Sequence, residues 1–202
     1  MRLYLASRSP RRRELLTQMG VAFDTVIFRS GLRTDPQVDE ALHAGETAPA
    51  YVERVARAKA GHGIDLLLER RLPLRPVLAA DTTLELAGEI IGKPVDEADA
   101  LAILRRLSGR THAVLTGVAV AYEGCTEYVQ SISEVRFRPI EDDELRRYVH
   151  SGEPMDKAGA YGVQGQGALL VERIDGDFFN VMGLPVLLLS RMLADFGITL
   201  LG

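Results

Sequence analysis

The chain contains one cysteine, Cys125, so neither an intramolecular disulfide nor a thiolate zinc cluster can form. Tryptophan is absent and aromatics make up 6% of the 202 residues; with a net charge of −4, a general nucleic-acid binder is disfavoured. Long apolar runs are lacking too. Leu184 to Leu189, interrupted by Pro185, is far too short to span a bilayer, and the initial "LYLA" meets Arg8 before any signal core develops. No membrane association and a cytoplasmic location are therefore expected. His43, His62, His112 and His150 are scattered without metal-ligand spacing, and no P-loop, G-x-G-x-x-G fingerprint or G-x-S-x-G elbow occurs. Lysine is scarce: only Lys59, Lys93 and Lys157 accompany the many arginines.

What remains is an ordinary globular composition, 47% hydrophobic and 26% charged, without internal repeat, low-complexity tract or linker. One domain over residues 1–202 is expected. "RLYLA" reads as a first strand, and Ser9–Pro10 as N-cap and first residue of a helix that Gly20 ends. "VAFDTVIF" reads as a second strand, residues 29–48 as a long loop, and Ala50–Ala60 as a helix. "PVLAAD" is a buried strand with Asp81 at its C-terminal end, and "LELAGEIIGKP" a hairpin turning at Ala87–Gly88. Asp96 caps the next helix. Two long strands, a helix "EDDELRRYVHSG" and a Gly-rich loop follow, then a strand hairpin around Asp175–Gly176 and a closing helix. Helices and strands mix without regular alternation, which points to a mixed α/β sheet.

Arg11, Arg12 and Arg13 follow the N-cap, where the helix end is already positive and acids are favoured. A solvated charge run is one explanation. The other is a phosphate site built from helix-end N–H groups, Ser7 and Ser9 hydroxyls and guanidinium forks. Successive helical residues point about 100° apart, so at least one arginine must face away. Asp81 interrupts the apolar run Val77–Ala80 and can either cap a turn or serve as metal ligand or proton acceptor. Each lysine stands beside a Gly, Pro or Ala near a loop or helix end, and is either solvated surface or a point-charge contact to phosphate. Glu40 and Glu46 in the early loop could complete a magnesium site with Asp81.

Seven motifs, "LASRSPRRRELL", "ARAKA", "AADTT", "GEIIGKP", "LSGRTHAVLTGVAV", "SGEPMDKAGAYGVQG" and "GDFFNVMGLP", run in order along the chain and resemble the Maf family of nucleotide pyrophosphatases. The resemblance implies an ITPase-like fold, an elongated mixed sheet with flanking helices split by a deep cleft. It also implies hydrolysis of nucleoside triphosphates to monophosphate and pyrophosphate with Mg²⁺ or Mn²⁺, as nucleotide-pool house-cleaning. A homodimer is also implied. By motif, Asp81 is the proton acceptor and a metal ligand, with Glu40 as a second. Ser7, Ser9, Arg12 and Arg13 form the phosphate-binding start, and Lys59 and Lys93 are the motif lysines, with Lys157 in the Gly-rich motif. Arg11, Thr82 and Gln164 look like the subgroup acting on dTTP and UTP, and the Gln164 amide, both donor and acceptor, suits a pyrimidine edge. A modified pyrimidine nucleotide is an alternative substrate. A second reading from the same resemblance is a nucleotide-binding regulator of septum formation without turnover.

Overall fold

The computed structural model describes residues 2–28 and 38–200, so the part of the early loop over residues 29–37 lies outside the described residues. Among these, seven strands form one mixed sheet in the order β2-β1-β3-β5-β6-β7, with β4 paired to β3. β1 (Leu3–Leu5) runs parallel to β2 (Phe23–Thr25) and to β3 (Val77–Leu86), whereas β4 (Glu89–Ile91), β5 (Thr111–Tyr122), β6 (Cys125–Phe137) and β7 (Val171–Asp175) join through antiparallel ladders. The expected hairpin turns at Ala87–Gly88, both residues having positive φ, which matches the twist of the strands it joins.

Helix α1 (Pro10–Gln18) begins as its sequence predicts, with Ser9 accepting from the Arg12 backbone N–H at 3.4 Å. Helix α3 (Glu97–Leu107) is capped by Asp96, with acids in its first turn and Arg105 and Arg106 in its last. Helix α2 (Ala48–Glu69) is longer than the Ala50–Ala60 helix expected, because Gly61 and Gly63 do not stop it. Gly63 instead permits close packing: a Cβ there would lie 2.6 Å from Val77 Cγ1.

Three further readings change. The second strand shrinks to Phe23–Thr25. β3 does not stop at Asp81 but continues to Leu86, because its ladder to β5 runs unbroken from Val77↔Ala121 to Glu85↔Ala113. Only β7 forms from the expected hairpin around Asp175–Gly176; Asp177 accepts from Phe179 N–H at 2.8 Å and starts a short helix, α5 (Phe178–Val181). An Asp at an N-cap satisfies a free helix donor, which here wins over the strand pattern.

The sheet is covered on both faces. Ala56, Ala60, Leu66 and Leu67 of α2 pack on Val77, Ala79, Ala119 and Ala121. On the opposite face, α1 and α6 (Val186–Asp195) cover Leu78, Ala80, Val118 and Val120, and α3 with α4 (Asp142–His150) covers Leu84, Val114, Val135 and Phe137. No helix among the described residues is long and apolar enough to cross a membrane. His112 is buried against Phe137 and Tyr161, with ring centroids at 5.1 and 5.4 Å, and its Nε2 lies 2.8 Å from the Tyr161 hydroxyl.

Two predictions arise from this packing. A Cβ at Gly117 would stand 2.8 Å from the Val52 carbonyl, so α2 must move to admit it. Gly117→Ala should cost about 1–3 kcal/mol in urea unfolding, whereas Gly61→Ala, with open space around it, should gain about 0.5–1 kcal/mol. The second concerns acid. Burial pushes the His112 imidazole down to about 4, while the unfolded residue takes up its proton near pH 6.5. The stability contributed by neutral His112 is complete above pH 6.5 and is lost as pH falls from there towards the folded value, by about 2–3 kcal/mol. Unfolding curves at pH 7.5 and 4.5 should show this loss in the parent protein and its absence in His112→Gln.

Candidate active site

β1 ends at Leu5, and its last bond to β3 is Ala6 N–H to the Leu78 carbonyl at 2.8 Å. β4 pairs with β3 only from Leu84 onward. Between these neighbours, residues 79–83 of β3 keep a partner on the β5 side alone. Backbone carbonyls alternate along a strand, and those of Pro76, Leu78 and Ala80 face the β1 side. This open edge faces a cleft of about 1060 Å³, walled by the β1–α1 loop, α2, the Gly-rich loop and the segment after α5.

Asp81 and Thr82 project from the two faces of β3. Asp81 meets α2: its Oδ1 accepts from Lys59 Nζ at 2.8 Å, and the same ammonium lies 2.9 Å from Glu40 Oε1. Arg54 brings Glu40 there. Its guanidinium grips Glu46 at 2.6 and 2.8 Å and donates to the carbonyls of Asp39 and Ala41, each at 2.8 Å. Hydrogen bonding from Arg54 pulls the Glu46 carboxyl down to about 2, so this tether stays ionised well into the acid range. Glu46 therefore anchors the loop and does not line the cleft, contrary to its candidacy as a metal ligand.

Thr82 meets Arg12. The Arg12 Nε donates to the Gly183 carbonyl at 2.8 Å, Nη1 to the Ala80 carbonyl at 2.8 Å and to Ser7 Oγ at 3.3 Å, and Nη2 to Thr82 Oγ1 at 3.0 Å. Burial pushes its pKa down, while the charge of Asp81 opposes that shift. With four of five donors engaged, Arg12 chiefly binds the walls of the cleft together and keeps one N–H for a ligand.

The other expected residues divide as follows. Ser7, Ser9, Arg11, Lys93 and Lys157 line the cleft. Lys157 is pinned by the Glu153 carbonyl and, at 2.5 Å, by Asp156. Arg13 is exposed and outside the cleft, so it is the arginine that faces away. Gln164 is exposed one residue beyond the lining Val163 and does not itself line the cleft. Sequence reasoning missed Tyr51, which lines the cleft two helical turns before Lys59; that i, i+8 spacing was the available signal. Burial and the charges of Asp81 and Glu40 push its phenol up to about 12. Arg8, bonded to the Phe28 carbonyl at 2.5 Å, was also missed as a lining residue.

Among the described residues no three His, Cys, Asp or Glu side chains form a group that could by itself hold a metal ion. The carboxylates of Asp81 and Glu40 nevertheless converge on one ammonium. A hard cation that takes one or two carboxylates and fills its shell with phosphate and water fits this donor set.

The family described as Maf-like protein matches residues 2–196. The dTTP/UTP pyrophosphatase of Dechloromonas aromatica is 66% identical over 197 residues, covering 98% of both chains. That of Aromatoleum aromaticum is 58% identical, over 97% of this chain and 96% of the relative. That of Cupriavidus metallidurans is 48% identical over 97% of each. The solved Ham1 protein of Staphylococcus aureus overlaps with a TM-score of 0.46 at 18% identity, covering 68% of this chain and 72% of that one.

The contrast between adjacent arginines is testable. Arg12→Lys replaces the fork that spans the Ala80 and Gly183 carbonyls by one ammonium that cannot serve both, and should cost about 1–3 kcal/mol in urea unfolding. Arg13→Ala should stay within about 0.5 kcal/mol of the parent. Equal effects would contradict the division of roles.

Proposed function

The chain belongs to the Maf-like protein family, and from that premise we propose that it hydrolyses nucleoside triphosphates, dTTP and UTP foremost, to nucleoside monophosphate and pyrophosphate. The observation that carries the reading is the Glu40–Lys59–Asp81 cluster, set on an open strand edge in the same cleft as the basic start of α1.

Triphosphate binding follows from the anion-attracting groups. The N-terminus of α1, the hydroxyls of Ser7 and Ser9, and Arg11 offer donors and positive charge to phosphate oxygens. Lys93 and Lys157 face the same space from the β4 and Gly-rich sides. Attack of water on the α-phosphorus builds charge on its oxygens, which fixed cations stabilise without reorganising. Asp81, held to Lys59, is the carboxylate placed to orient that water and accept its proton at Oδ. Asp81 and Glu40 would hold Mg²⁺ or Mn²⁺, which when bound supplies positive charge to the phosphate oxygens. Arg11 and Thr82, which line the cleft, make up the selectivity set of this reading with Gln164 at its margin beside Val163, and normal or modified pyrimidine nucleotides are the substrates to compare. A homodimer and a cytoplasmic location, alongside the nucleotide pool, complete the reading.

Asp81→Asn should lower pyrophosphate release from dTTP and UTP by about 10²–10⁴-fold, with the far-ultraviolet circular dichroism unchanged. Chelation of divalent cations should abolish release by the parent protein. Retained turnover in Asp81→Asn would remove Asp81 from its role.

A further inference from the structure

Behind Thr82 a chain of hydrogen bonds leads from the cleft wall into the core, and its direction is forced. Thr116 of β5 is the ladder partner of Thr82, and their hydroxyl oxygens lie 2.9 Å apart. The Thr116 hydroxyl donates to the Asn180 carbonyl at 3.0 Å, and a carbonyl can only accept. The single Thr116 proton is thereby used, so the proton between the two threonines comes from Thr82. Thr82 Oγ1 in turn accepts from Arg12 Nη2 at 3.0 Å, and a guanidinium can only donate. The order is fixed at both ends: Arg12 N–H to Thr82, Thr82 O–H to Thr116, Thr116 O–H to Asn180. Reversal would need an acceptor on Arg12 or a donor on the Asn180 carbonyl.

The far end is held rigidly. Asn180 is fully buried, and its Nδ2 donates to the Val114 carbonyl at 3.0 Å and to Ser133 Oγ at 2.9 Å. Ser133 Oγ donates to the Asp177 carbonyl at 3.0 Å, and a Cβ on Gly176 would come within 2.8 Å of that hydroxyl oxygen. The motif "GDFFNVMGLP" thus places the Asn180 acceptor against β5 and, three residues later, the Gly183 carbonyl against Arg12.

We infer that Thr116 and the Asn180 carbonyl are positioning groups that hold the Thr82 hydroxyl with its proton turned into the core. Towards the cleft Thr82 then shows only lone-pair density, and it selects a nucleotide that brings an N–H or O–H donor to that point. The inference rests on the nucleotide reading of the cleft. Two donors common to UTP and dTTP can meet that lone pair, the ring imide N–H and the 3′-hydroxyl. A cytosine ring, with an acceptor at N3, meets lone pair with lone pair.

The test measures UTP, CTP and 3′-deoxy-UTP against the parent protein, Thr116→Ser and Thr116→Val. Both kcat/KM for pyrophosphate release and Kd by calorimetry are recorded. Thr116→Ser keeps the donor and acceptor and should preserve every preference ratio. Thr116→Val frees the Thr82 proton and should reduce one ratio about tenfold, the worth of one such hydrogen bond. A fall in UTP over CTP assigns the ring imide; a fall in UTP over 3′-deoxy-UTP assigns the sugar. Unchanged ratios in Thr116→Val, or equal changes in Thr116→Ser, overturn the inference, because a packing defect weakens all three ligands alike. Thr116→Ala replaces the valine variant if that one does not fold. Absence of pyrophosphate release by the parent would remove the pyrophosphatase reading, while the Kd ratios still decide the relay.

Discussion

A single guanidinium, half-buried in the cleft wall, holds the cleft in shape. Arg12 joins Ser7 of the β1–α1 loop, Ala80 and Thr82 of β3, and Gly183 before α6, segments widely separated along the chain. A strand edge without a neighbouring strand leaves polar backbone groups unpaired, and an unpaired buried carbonyl costs about 1–3 kcal/mol. Arg12 relieves that cost at Ala80 while keeping the edge open to a ligand. A half-buried cation is itself expensive unless well bonded, which is why four of its donors are committed to the protein.

The period of a β-strand puts the group proposed for chemistry and the group proposed for selection on opposite faces. Asp81 falls on the α2 face, where Lys59 draws it together with Glu40. Thr82, one residue on, falls on the α1 face, with Arg12 in front and Thr116 behind. Small residues make the first arrangement possible. Ala56, Ala60 and Gly63 on α2 and Ala79, Ala119 and Gly117 on the sheet let the helix lie close enough for its lysine to reach Asp81. The same closeness explains why there is no room for side chains at Gly63 and Gly117.

Local signals in the sequence were read correctly where local physics decides the outcome. Ser9–Pro10 and Asp96 start helices because their side chains satisfy helix donors, and Ala87–Gly88 turns because it can take positive φ. Asp81 stands out in the sequence because a charge interrupts an apolar strand. It is buried, and its access to the cleft comes from the missing neighbour between β1 and β4, a property of topology rather than of the residues around it. Arg11, Arg12 and Arg13 announce an anion site, but which one turns inward depends on carbonyls far along the chain, among them Gly183. Glu46 was legible as a loop acid and not as the partner of Arg54, because that pairing depends on how the loop folds back over α2. Phe178–Val181 read as strand because aromatic residues favour strands, and the Asp177 cap overrides that preference.

These features give the cleft a polarity: cations at the start of α1 and along its walls, and a carboxylate–ammonium cluster where bond cleavage is assigned. The measurement that tests this most directly is a crystal structure with α,β-imido-UTP and Mg²⁺, in which the scissile bridge cannot be hydrolysed. The account predicts the triphosphate against Ser7, Ser9 and Arg11, with the α-phosphorus beside Asp81 and Lys59. An analogue bound with its α-phosphorus away from Asp81, or outside this cleft, would contradict it.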